Sequence, residues 1–452
     1  MIGAPRIADV ASFIEAKSMG SNVPFRGVST DTRTLQPGDL YVALSGERFD
    51  GHDFIEQAME KGAAAVLVSR APQQQIPYLL VDDTTKALGK LALYNRRQFK
   101  NPVIAVTGSS GKTTVKEMIS NILRQQGEVL FTRGNLNNHI GAPLTLLRLS
   151  QQDAAVIELG ASGLGEIRYT GELACPDVGV ITNAAAAHLE GFGSLEGVVQ
   201  TKGEMVDVVS ATGTVILNAD SPYFATWRER AGQKKVLAFG VADNADVRAT
   251  ELEVDDAGRY RFVLVTPQGN SQVQLPVMGQ HNVGNACAAA AACLAAGVAL
   301  PVVVAGLESF SGVSGRLVEK AGFNGAVVID DTYNANPASL RAAIDVLVSR
   351  PGQHILVLGD MAELGAESHR AHAEIGVYAN SKGVDMLLAC GAYSRSAVDA
   401  FDNGGHWFSS ADNLIKFLTT QLKPGVTALV KGSRSARMEL VVQAVTQSEK
   451  QD

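Results

Sequence analysis

The stretch VIAVTGSSGKTTVKEMIS at residues 103–120 is typical of a strand, a glycine-rich turn and a helix that together hold a phosphate group. The usual phosphate-loop pattern, G-x-x-x-x-G-K-[ST], would need a glycine five positions before Gly111, where Val106 stands. The turn is two residues shorter and begins at Gly108. Its glycines allow a tight backbone turn, and the following helix adds the positive end of its dipole. The stretch predicts a phosphate-binding loop, and the competing interpretation is an ordinary glycine-rich strand-to-helix turn.

Short apolar runs alternate with helical stretches after this loop. AAVIELG, VGVITN and TVILNAD come first, and AVVIDD, HILVLGD, MLLACG and TALVKGS follow nearer the C-terminus. Such alternation is typical of mostly parallel, doubly wound sheets. The sequence therefore predicts an α/β fold of three domains: a small mixed α/β N-terminal domain (1–83), a central P-loop-type ATPase domain with a mostly parallel sheet (84–312) and a C-terminal Rossmann-like domain (313–452).

Composition excludes several classes of protein. The chain has 452 residues, enough for about three domains of ~150 residues. Its formal charge of −7 shows no general excess of basic residues of the kind that binds nucleic acid. The four cysteines form no C-x-x-C pair, which argues against zinc and disulfides and favours a reducing cytosol. The N-terminal segment contains Asp9 and Glu15 and no apolar core, so we expect a cytoplasmic protein without a signal peptide.

One apolar stretch imitates a membrane span. Residues 286–307 carry no charge, and the stretch is long enough to cross a membrane as a helix, so it is a transmembrane candidate. However, about half of the stretch is alanine, and Gly297 and Pro301 interrupt it. We therefore predict two buried helices of small residues and no transmembrane segment.

The loop residues define the first candidate site. Lys112 is expected to reach the terminal phosphates of a nucleotide, and the Thr113 hydroxyl to ligate Mg²⁺. Glu158 closes an apolar strand, where ligands of α/β proteins gather, although it could instead cap a helix or form a salt bridge. The residues predicted to contact the nucleotide in this loop are Thr107, Gly108, Ser109, Ser110, Gly111, Lys112, Thr113 and Thr114.

A series of motifs then occurs in one order along nearly the whole chain. They are TGSSGKTT, GNLNNHIGAP (134–143), VIELGA (156–161), NAAAAHLEGFGS (183–194), TKGE (201–204), GQHNVGNA (279–286), DDTYNANPAS (330–339), LGDMAELG (358–365) and LVKGSRSARME (429–439). In this series the chain closely resembles the Mur ligases. The resemblance implies that ATP phosphorylates a carboxylate and that an amine then displaces phosphate from the acyl phosphate. DDTYNANPAS, GDMAELG and KGSRS imply UDP-N-acetylmuramoyl-tripeptide and D-alanyl-D-alanine as substrates.

The resemblance also implies roles for individual side chains. Thr113 and Glu158 would hold one Mg²⁺ and His188 a second, and Lys202 would be carbamylated, giving a catalytic set with Lys112. Taken alone, His188 would more often be a hydrogen-bonded histidine and Lys202 a solvated surface charge. Carbamylation needs a free amine, so the pKa of the lysine must be depressed by burial or nearby positive charge.

Nucleotide and substrate contacts are implied in the same way. The resemblance assigns adenine contacts to Asn282 and Asn285, and further nucleotide contacts to Arg316 and Asp331, whereas helix capping is the ordinary interpretation of the asparagines and Asp331. The residues it implies for substrate binding are Ser29, Asp31, Thr32, Arg33, Arg48, Asp50, His52, Asn137, Asn138, Tyr333, Asn334, Asn336, Lys431, Ser433 and Arg434. Without the resemblance, the N-terminal members are polar turns and Arg434 a solvated helix face.

Three positions depart from the family pattern: Ser162 and Gly163 after ELGA, and Ser314 before Gly-Arg. The resemblance implies a monomeric enzyme of the bacterial cytoplasm, and is compatible with diaminopimelate or lysine as the third residue of the stem peptide. The alternatives are another Mur ligase or a folylpolyglutamate-synthase-like amide ligase, and, in a different class, a P-loop NTPase switch that binds a partner.

Overall fold

The computed structural model describes residues 1–47, 49–185 and 189–447. Three sheets organise these residues, with five, nine and six strands. The α/β fold class with mostly parallel pairing is thereby confirmed. The predicted boundaries at 83/84 and 312/313 fall between strands of different sheets, and as domain limits they stay predictions.

The first sheet has the order β1-β5-β4-β3-β2, in which only the β1–β5 pair is antiparallel. Its elements are α1 (Ile7–Ala11), β1 (Lys17–Met19), β2 (Val28–Ser29), β3 (Leu40–Val42), α2 (Ile55–Glu60), β4 (Ala65–Val68) and β5 (Tyr78–Leu80). A longer helix, α3 (Thr84–Gln98), follows and begins at Asp83, whose carboxylate accepts from the N–H groups of Thr85 and Lys86.

The second sheet has the order β14-β13-β12-β11-β10-β9-β6-β8-β7. Its first part comprises β6 (Val103–Thr107), α4 (Lys112–Leu123), β7 (Val129–Phe131), α5 (Gly141–Leu146), β8 (Ala154–Glu158), α6 (Glu166–Ala174), β9 (Val178–Ile181), α7 (Leu189–Phe192) and α8 (Leu195–Val208). Its second part comprises β10 (Thr214–Asn218), α9 (Phe224–Ala231), β11 (Lys235–Gly240), β12 (Val247–Val254), β13 (Arg259–Thr266), β14 (Gly269–Met278), α10 (Gln280–Ala295) and α11 (Leu300–Glu308).

Both faces of this sheet are buried. Along β6, Val103 and Ala105 belong to the apolar cluster on one face, and Ile104 and Val106 belong to the cluster on the other. This two-sided burial explains why the strand reads as a continuous apolar run. Helix α10 packs in the second cluster, where its segment 286–293 is fully buried. The prediction of two buried helices holds for α10 but not for α11, which buries one face through Leu300, Val303 and Leu307 and leaves Pro301 and Ala305 exposed. Among the described residues, no helix has the length and hydrophobicity that a membrane span requires.

The third sheet has the order β15-β16-β20-β17-β18-β19, with β15 antiparallel to its neighbour and the other pairs parallel. Its elements are β15 (Val318–Ala321), β16 (Val327–Asp331), α12 (Pro337–Val348), β17 (Gln353–Gly359), α13 (Ser368–Ser381), β18 (Met386–Cys390), α14 (Arg395–Asp399), β19 (Gly405–Phe408), α15 (Ala411–Gln421), β20 (Val426–Lys431) and α16 (Glu439–Val445). In β16 and β20, Asp331 pairs in register with Lys431, which brings two predicted site residues to the same edge.

Candidate active site

The predicted phosphate loop joins β6 to α4. Gly108 and Gly111 have φ values of 147° and 81°. A Cβ at Gly108 would overlap the Thr182 hydroxyl, and one at Gly111 would lie 2.6 Å from Asn285 Oδ1. Glycine is therefore required at both positions by backbone conformation and by space.

The two residues that follow β9, Thr182 and Asn183, hold this loop by hydrogen bonds. The Thr182 hydroxyl donates to the Ser110 carbonyl at 2.6 Å, and Asn183 Oδ1 accepts from the Ser110 N–H at 2.9 Å. The Ser109 N–H donates to the Asn183 carbonyl at 3.1 Å. Sequence reasoning did not single out Thr182 or Asn183, although both are polar residues at the end of a buried strand, which was the available signal.

Lys112 folds back over the loop. Its Nζ donates to the Gly108 carbonyl at 2.7 Å and to the Ser109 carbonyl at 3.3 Å. Burial lowers the pKa of this lysine, the charge of Glu158 opposes that shift, and the charge of Arg316 adds to it. The ammonium is thus held at the loop by carbonyl groups, which places positive charge where phosphate groups are expected.

Glu158, the last residue of β8, is 2% exposed and lies beside the loop helix. The Thr113 hydroxyl donates to Glu158 Oε2 at 3.0 Å, and Asn137 Nδ2 donates to Oε1 at 2.8 Å. A carboxylate beside a hydroxyl is a hard oxygen set that suits Mg²⁺, which keeps several waters and uses few protein ligands. No group of three or more His, Cys, Asp or Glu that could hold a metal occurs among the described residues.

Lys202 lies on α8 and is only 3% exposed, so its interpretation as a solvated surface charge is wrong. Burial lowers its pKa to about 7, with a further contribution in the same direction from Lys112, and Glu166 and Glu204 oppose the shift. The ammonium lies 5.4 Å from the ring centroid of Phe192. A substantial fraction of this amine is therefore neutral near neutral pH. His188 lies outside the described residues.

The third sheet faces the loop across a cleft of about 1890 Å³. Arg316 stacks over the Tyr333 ring at 4.3 Å from its centroid. Lys431 Nζ donates to Asp331 Oδ2 at 2.5 Å and to the Asn334 carbonyl at 2.9 Å. Asp331 thus pairs with a buried lysine, and the side-chain cap of the following helix, α12, comes from Asn336 instead.

Asn336 links the two sides of the cleft. Its Oδ1 caps α12 through the Ser339 N–H, and its Nδ2 lies 3.4 Å from Ser110 Oγ. The contact connects the C-terminal sheet's first long helix directly to the phosphate loop.

Several other predicted residues also line this cleft. Asn282 Nδ2 donates to the Met278 carbonyl at 2.7 Å, and Asn285 Nδ2 donates to Asn282 Oδ1 at 2.9 Å. These hydrogen bonds fix the orientation of both amide side chains at the start of α10. Ser433 Oγ donates to the Asp360 carbonyl at 2.7 Å. Arg434 pairs with Glu439 at 3.5 Å but remains largely exposed.

Most of the predicted nucleotide and substrate residues line this one cleft. They are Ser109, Ser110, Gly111, Lys112, Thr113, Thr114, Asn137, Asn138, Glu158, Asn282, Asn285, Arg316, Asp331, Tyr333, Asn334, Asn336, Lys431, Ser433 and Arg434.

Thr107 and Gly108 lie at the base of the loop and are not among the described lining residues. Thr107 is fully buried, and its hydroxyl donates to the Leu159 carbonyl at 2.8 Å. Thr107 therefore ties β6 to the residue after Glu158, which supports the loop from below.

The N-terminal candidates form a separate group, and those that the structure describes do not line the cleft. Thr32 and Ser29 are buried, and Thr32 Oγ1 donates to Gln57 Oε1 at 2.5 Å. Asp31 forms an exposed pair with Arg33 at 2.6 Å. Arg48 lies outside the described residues.

Asp50 is the centre of the second N-terminal cluster. Its carboxylate accepts from the His52 N–H at 3.0 Å and contacts His52 Nδ1 at 2.6 Å and Arg70 Nη1 at 2.7 Å. These contacts hold the pKa of Asp50 well below its usual range, chiefly through the His52 backbone hydrogen bond. His52 Nε2 accepts from the Ser69 N–H at 3.0 Å, so both ring nitrogens of His52 have a hydrogen-bond partner. Arg70 was missed because no local motif marks it.

Three comparisons identify relatives of this chain. The Mur ligase family catalytic domain matches residues 24–105, the Mur ligase middle domain matches 106–293, and the Mur ligase glutamate ligase domain matches 315–434. The UDP-N-acetylmuramoyl-tripeptide–D-alanyl-D-alanine ligase of Escherichia coli K12 is 45% identical over 446 residues, which cover 98% of each chain.

Solved structures agree with this result. A crystal structure of MurF from Acinetobacter baumannii is 37% identical, covers 98% of each chain and superposes with a TM-score of 0.93. MurF ligase from Thermotoga maritima in complex with ADP is 28% identical, with a TM-score of 0.83 over 93% of this chain and 96% of that one. The chain belongs to the Mur ligase family and is an ATP-dependent ligase.

Proposed function

We propose that this ligase joins D-alanyl-D-alanine to UDP-N-acetylmuramoyl-tripeptide and so forms the pentapeptide precursor of peptidoglycan. The relatives described above are named for this reaction or by the abbreviation for it, and one of them was solved with ADP. The single structural observation that carries the proposal is the pairing of Thr113 with Glu158 next to Lys112, across the cleft from Arg316. We place the reaction in the cytoplasm of a bacterium and expect a monomeric enzyme.

The reaction has two bond exchanges. A carboxylate oxygen of the tripeptide attacks the γ-phosphorus of ATP, the bond from that phosphorus to the β,γ-bridging oxygen breaks, and ADP leaves. The neutral amine of D-alanyl-D-alanine then attacks the acyl carbon and loses a proton. The C–O bond to phosphate breaks, and the liberated phosphate carries away one carboxyl oxygen. Such a transfer depends mainly on positioning and on neutralisation of charge.

The phosphate loop and helix α4 would position the phosphates of ATP. Lys112 and the N–H groups of the loop would hold the β- and γ-phosphates, with the positive end of α4 directed at them. Asn282 and Asn285 would contact the adenine, and Arg316 and Asp331 would complete the nucleotide site from the third sheet. Lys431, held by Asp331, would present positive charge to anionic groups in the cleft.

Mg²⁺ would supply charge neutralisation at the phosphates when bound. Thr113 and Glu158 are the residues proposed to hold one ion, and His188 with carbamylated Lys202 would hold a second. The described part of this set fits the ion, because the Thr113 hydroxyl oxygen and a Glu158 carboxylate oxygen, both of the ligand type that Mg²⁺ takes, lie 3.0 Å apart. The depressed pKa of Lys202 supports carbamylation, because only the neutral amine reacts with carbon dioxide.

We assign the sugar nucleotide to the N-terminal domain, residues 1–83. Its UDP end would contact the cluster of Asp50, His52 and the Ser29–Arg33 turn, and Arg48, which lies outside the described residues, is proposed for the same contact. Residues 84–312 would form the ATP-binding domain, and residues 313–452 the domain that closes over it. Asn137 and Asn138, with Tyr333, Asn334, Asn336, Ser433 and Arg434, would contact the acceptor and the acyl group.

The acyl-phosphate route is tested by tracing a carboxyl oxygen of the tripeptide into the released phosphate. The tripeptide substrate is labelled with ¹⁸O in its terminal carboxyl group and incubated with ATP, Mg²⁺ and D-alanyl-D-alanine. One labelled oxygen is expected in the inorganic phosphate released per pentapeptide formed. Unlabelled phosphate would overturn the acyl-phosphate route.

A panel of substrates separates the alternatives. ADP release is measured with UDP-N-acetylmuramoyl-tripeptide and D-alanyl-D-alanine, with a Mur dipeptide precursor and a third-residue amino acid, and with a folate and glutamate. Activity with the second or third set alone would assign a different amide ligase. Full ATP hydrolysis without any acceptor would instead favour a nucleotide switch.

A further inference from the structure

A second pocket lies at the free edge of the nine-stranded sheet, away from the cleft. It has a volume of about 400 Å³ and is formed where α4 ends and the edge strand β7 runs. We call it the arginine pocket; its described lining residues are Arg124, Gly127, Glu128, Val129, Leu130, Phe131, Arg133, Arg148 and Gln152. None of these lines the cleft. The pocket is therefore not part of the active site described above.

Three arginines converge on this pocket from three different segments. Arg124 follows α4, Arg133 follows β7 and Arg148 follows α5. All three are exposed, and within the described residues none forms an ion pair with a carboxylate. The charge of Arg133 acts on Arg148, because it adds to burial in lowering the pKa of Arg148.

Phe131 contributes an aromatic ring to the lining of the pocket. Arg124 stacks over its ring, with Cζ 4.3 Å from the centroid. The buried Lys116 lies 5.5 Å from the same centroid, but its ammonium is already paired with Glu117 at 2.7 Å. Glu128 is the only acidic residue among the described lining residues, so the lining carries a formal excess of two positive charges.

The lining is positive although the chain as a whole has a net charge of −7. Carboxylates are abundant on its surface, yet no ion pair between a carboxylate and these guanidinium groups is found among the described residues, and Glu128 balances only one of the three charges. Unpaired like charges around a concavity repel one another, and a bound anion would relieve that repulsion. Guanidinium groups recognise phosphate through paired N–H donors, which makes a phosphate group the best chemical match.

We propose that the arginine pocket is a binding site for a small, multiply charged phosphate compound, with Arg133 and Arg148 contacting the phosphate groups and Arg124 held in place by Phe131. The concave shape favours a soluble ligand over an extended surface, and the volume of about 400 Å³ leaves room for one of pyrophosphate size.

The test is a calorimetric titration with pyrophosphate, without divalent ions, so that chelation does not contribute. The titration uses full-length protein carrying Lys112→Ala, which weakens phosphate binding in the cleft. We expect one binding site whose affinity falls at least about tenfold when Arg133→Gln and Arg148→Gln are added, because two charge-assisted contacts are lost. Arg124 is left unchanged to keep its packing on Phe131.

A matched control removes the same charge elsewhere. Arg26→Gln with Arg228→Gln takes two exposed arginines from other surfaces, and pyrophosphate affinity should change less than about twofold. Equal losses in both double variants would show that net charge alone attracts the anion, and would overturn the proposal. Unchanged affinity in the pocket variant would do the same.

A second arm distinguishes a soluble ligand from a lipid headgroup. Full-length protein is sedimented with phosphatidylglycerol vesicles and with neutral vesicles. Co-sedimentation that depends on Arg133 and Arg148, together with no pyrophosphate binding, would assign the pocket to a membrane surface and overturn the proposal as stated. Folding of each variant is checked by its thermal unfolding midpoint.

Discussion

Lys116 Nζ donates a 2.8 Å hydrogen bond to the carbonyl oxygen of Thr132. The hydroxyl of the same threonine accepts from the Glu158 N–H at 2.9 Å. Lys116 is 1% exposed and follows Lys112 by one helical turn. Helix α4 therefore contributes one lysine to the phosphate loop and a second to the support of Glu158.

The first prediction concerns this support. Lys116→Met keeps the apolar stem but removes the buried ammonium, so the Thr132 carbonyl and Glu117 lose their partner. We expect a loss of about 2 kcal/mol, since a buried charged hydrogen bond is typically worth 1.5–3 kcal/mol. For a domain of this size that corresponds to a thermal midpoint lower by about 4–8 °C, measured by differential scanning fluorimetry.

Lys90→Met is the control for that prediction. Its ammonium forms an exposed pair with Glu15 at 2.7 Å, and such pairs contribute about 0–1 kcal/mol. The midpoint should then move by less than about 2–4 °C. A Lys116→Met protein as stable as the Lys90→Met protein would show that the buried contact does not stabilise the domain.

The second prediction concerns the charge of Glu158. Glu158→Gln keeps the size of the side chain and an oxygen that can accept from Thr113, but it removes the negative charge. If Glu158 holds a divalent ion, the rate of phosphate release should fall by about 10²–10³-fold, as is usual when a preorganised charged contact is lost. The rate should also require a higher Mg²⁺ concentration for half-saturation.

The exposed Glu229 provides the comparison, because its side chain makes no ion pair in the described structure. Glu229→Gln should leave both the rate and the Mg²⁺ requirement unchanged. Full activity of Glu158→Gln at the normal Mg²⁺ concentration would remove Glu158 from the proposed metal site.

The phosphate loop could be predicted because its chemistry is local. Gly108, Lys112 and Thr113 lie within six residues, and strand and helix patterns flank them. Glu158 could be predicted as well, because β8 lies beside β6 and the carboxyl ends of parallel strands meet at one edge.

The partners of these residues could not be predicted from local pattern. Asp331 meets Lys431 only because β16 and β20 are neighbours, and that strand order follows from the packing of the whole third sheet. Arg70 meets Asp50 through the fold of the first sheet, and although the family resemblance implied Asp50, no local pattern marks Arg70 as its partner. Residue types therefore indicated the candidates, whereas tertiary packing determined which of them are paired.

The third prediction follows from the depressed pKa of Asp50. A carboxyl group whose pKa is lowered on folding stabilises the folded state above its unfolded pKa of about 3.9, and this contribution is lost as the pH falls below that value. Asp50→Asn should therefore lower the thermal midpoint at pH 6, and the difference from the unchanged protein should shrink between pH 4 and pH 3. Asp82→Asn, at an exposed position, should show no such pH dependence. A constant difference for Asp50→Asn across this range would contradict the ionic role.

The last prediction concerns Lys202, whose pKa of about 7 lies below the ordinary value of 10.5. Between these values the unfolded chain holds a proton that the folded chain has released, so the stability contributed by this lysine rises with pH. Below pH 7 both states are protonated and the burial penalty is complete. Lys202→Met should therefore raise the thermal midpoint more at pH 6 than at pH 9.

The same titration controls carbamylation, because only the neutral amine attacks carbon dioxide. With ¹³C-bicarbonate, a carbamate resonance is expected by ¹³C NMR at pH 8 and should be much weaker at pH 6. The resonance should disappear in Lys202→Met and persist in Lys235→Met, which changes an exposed lysine. A resonance that survives Lys202→Met would place the carbamate elsewhere, and the lack of any resonance at pH 8 would contradict carbamylation of Lys202.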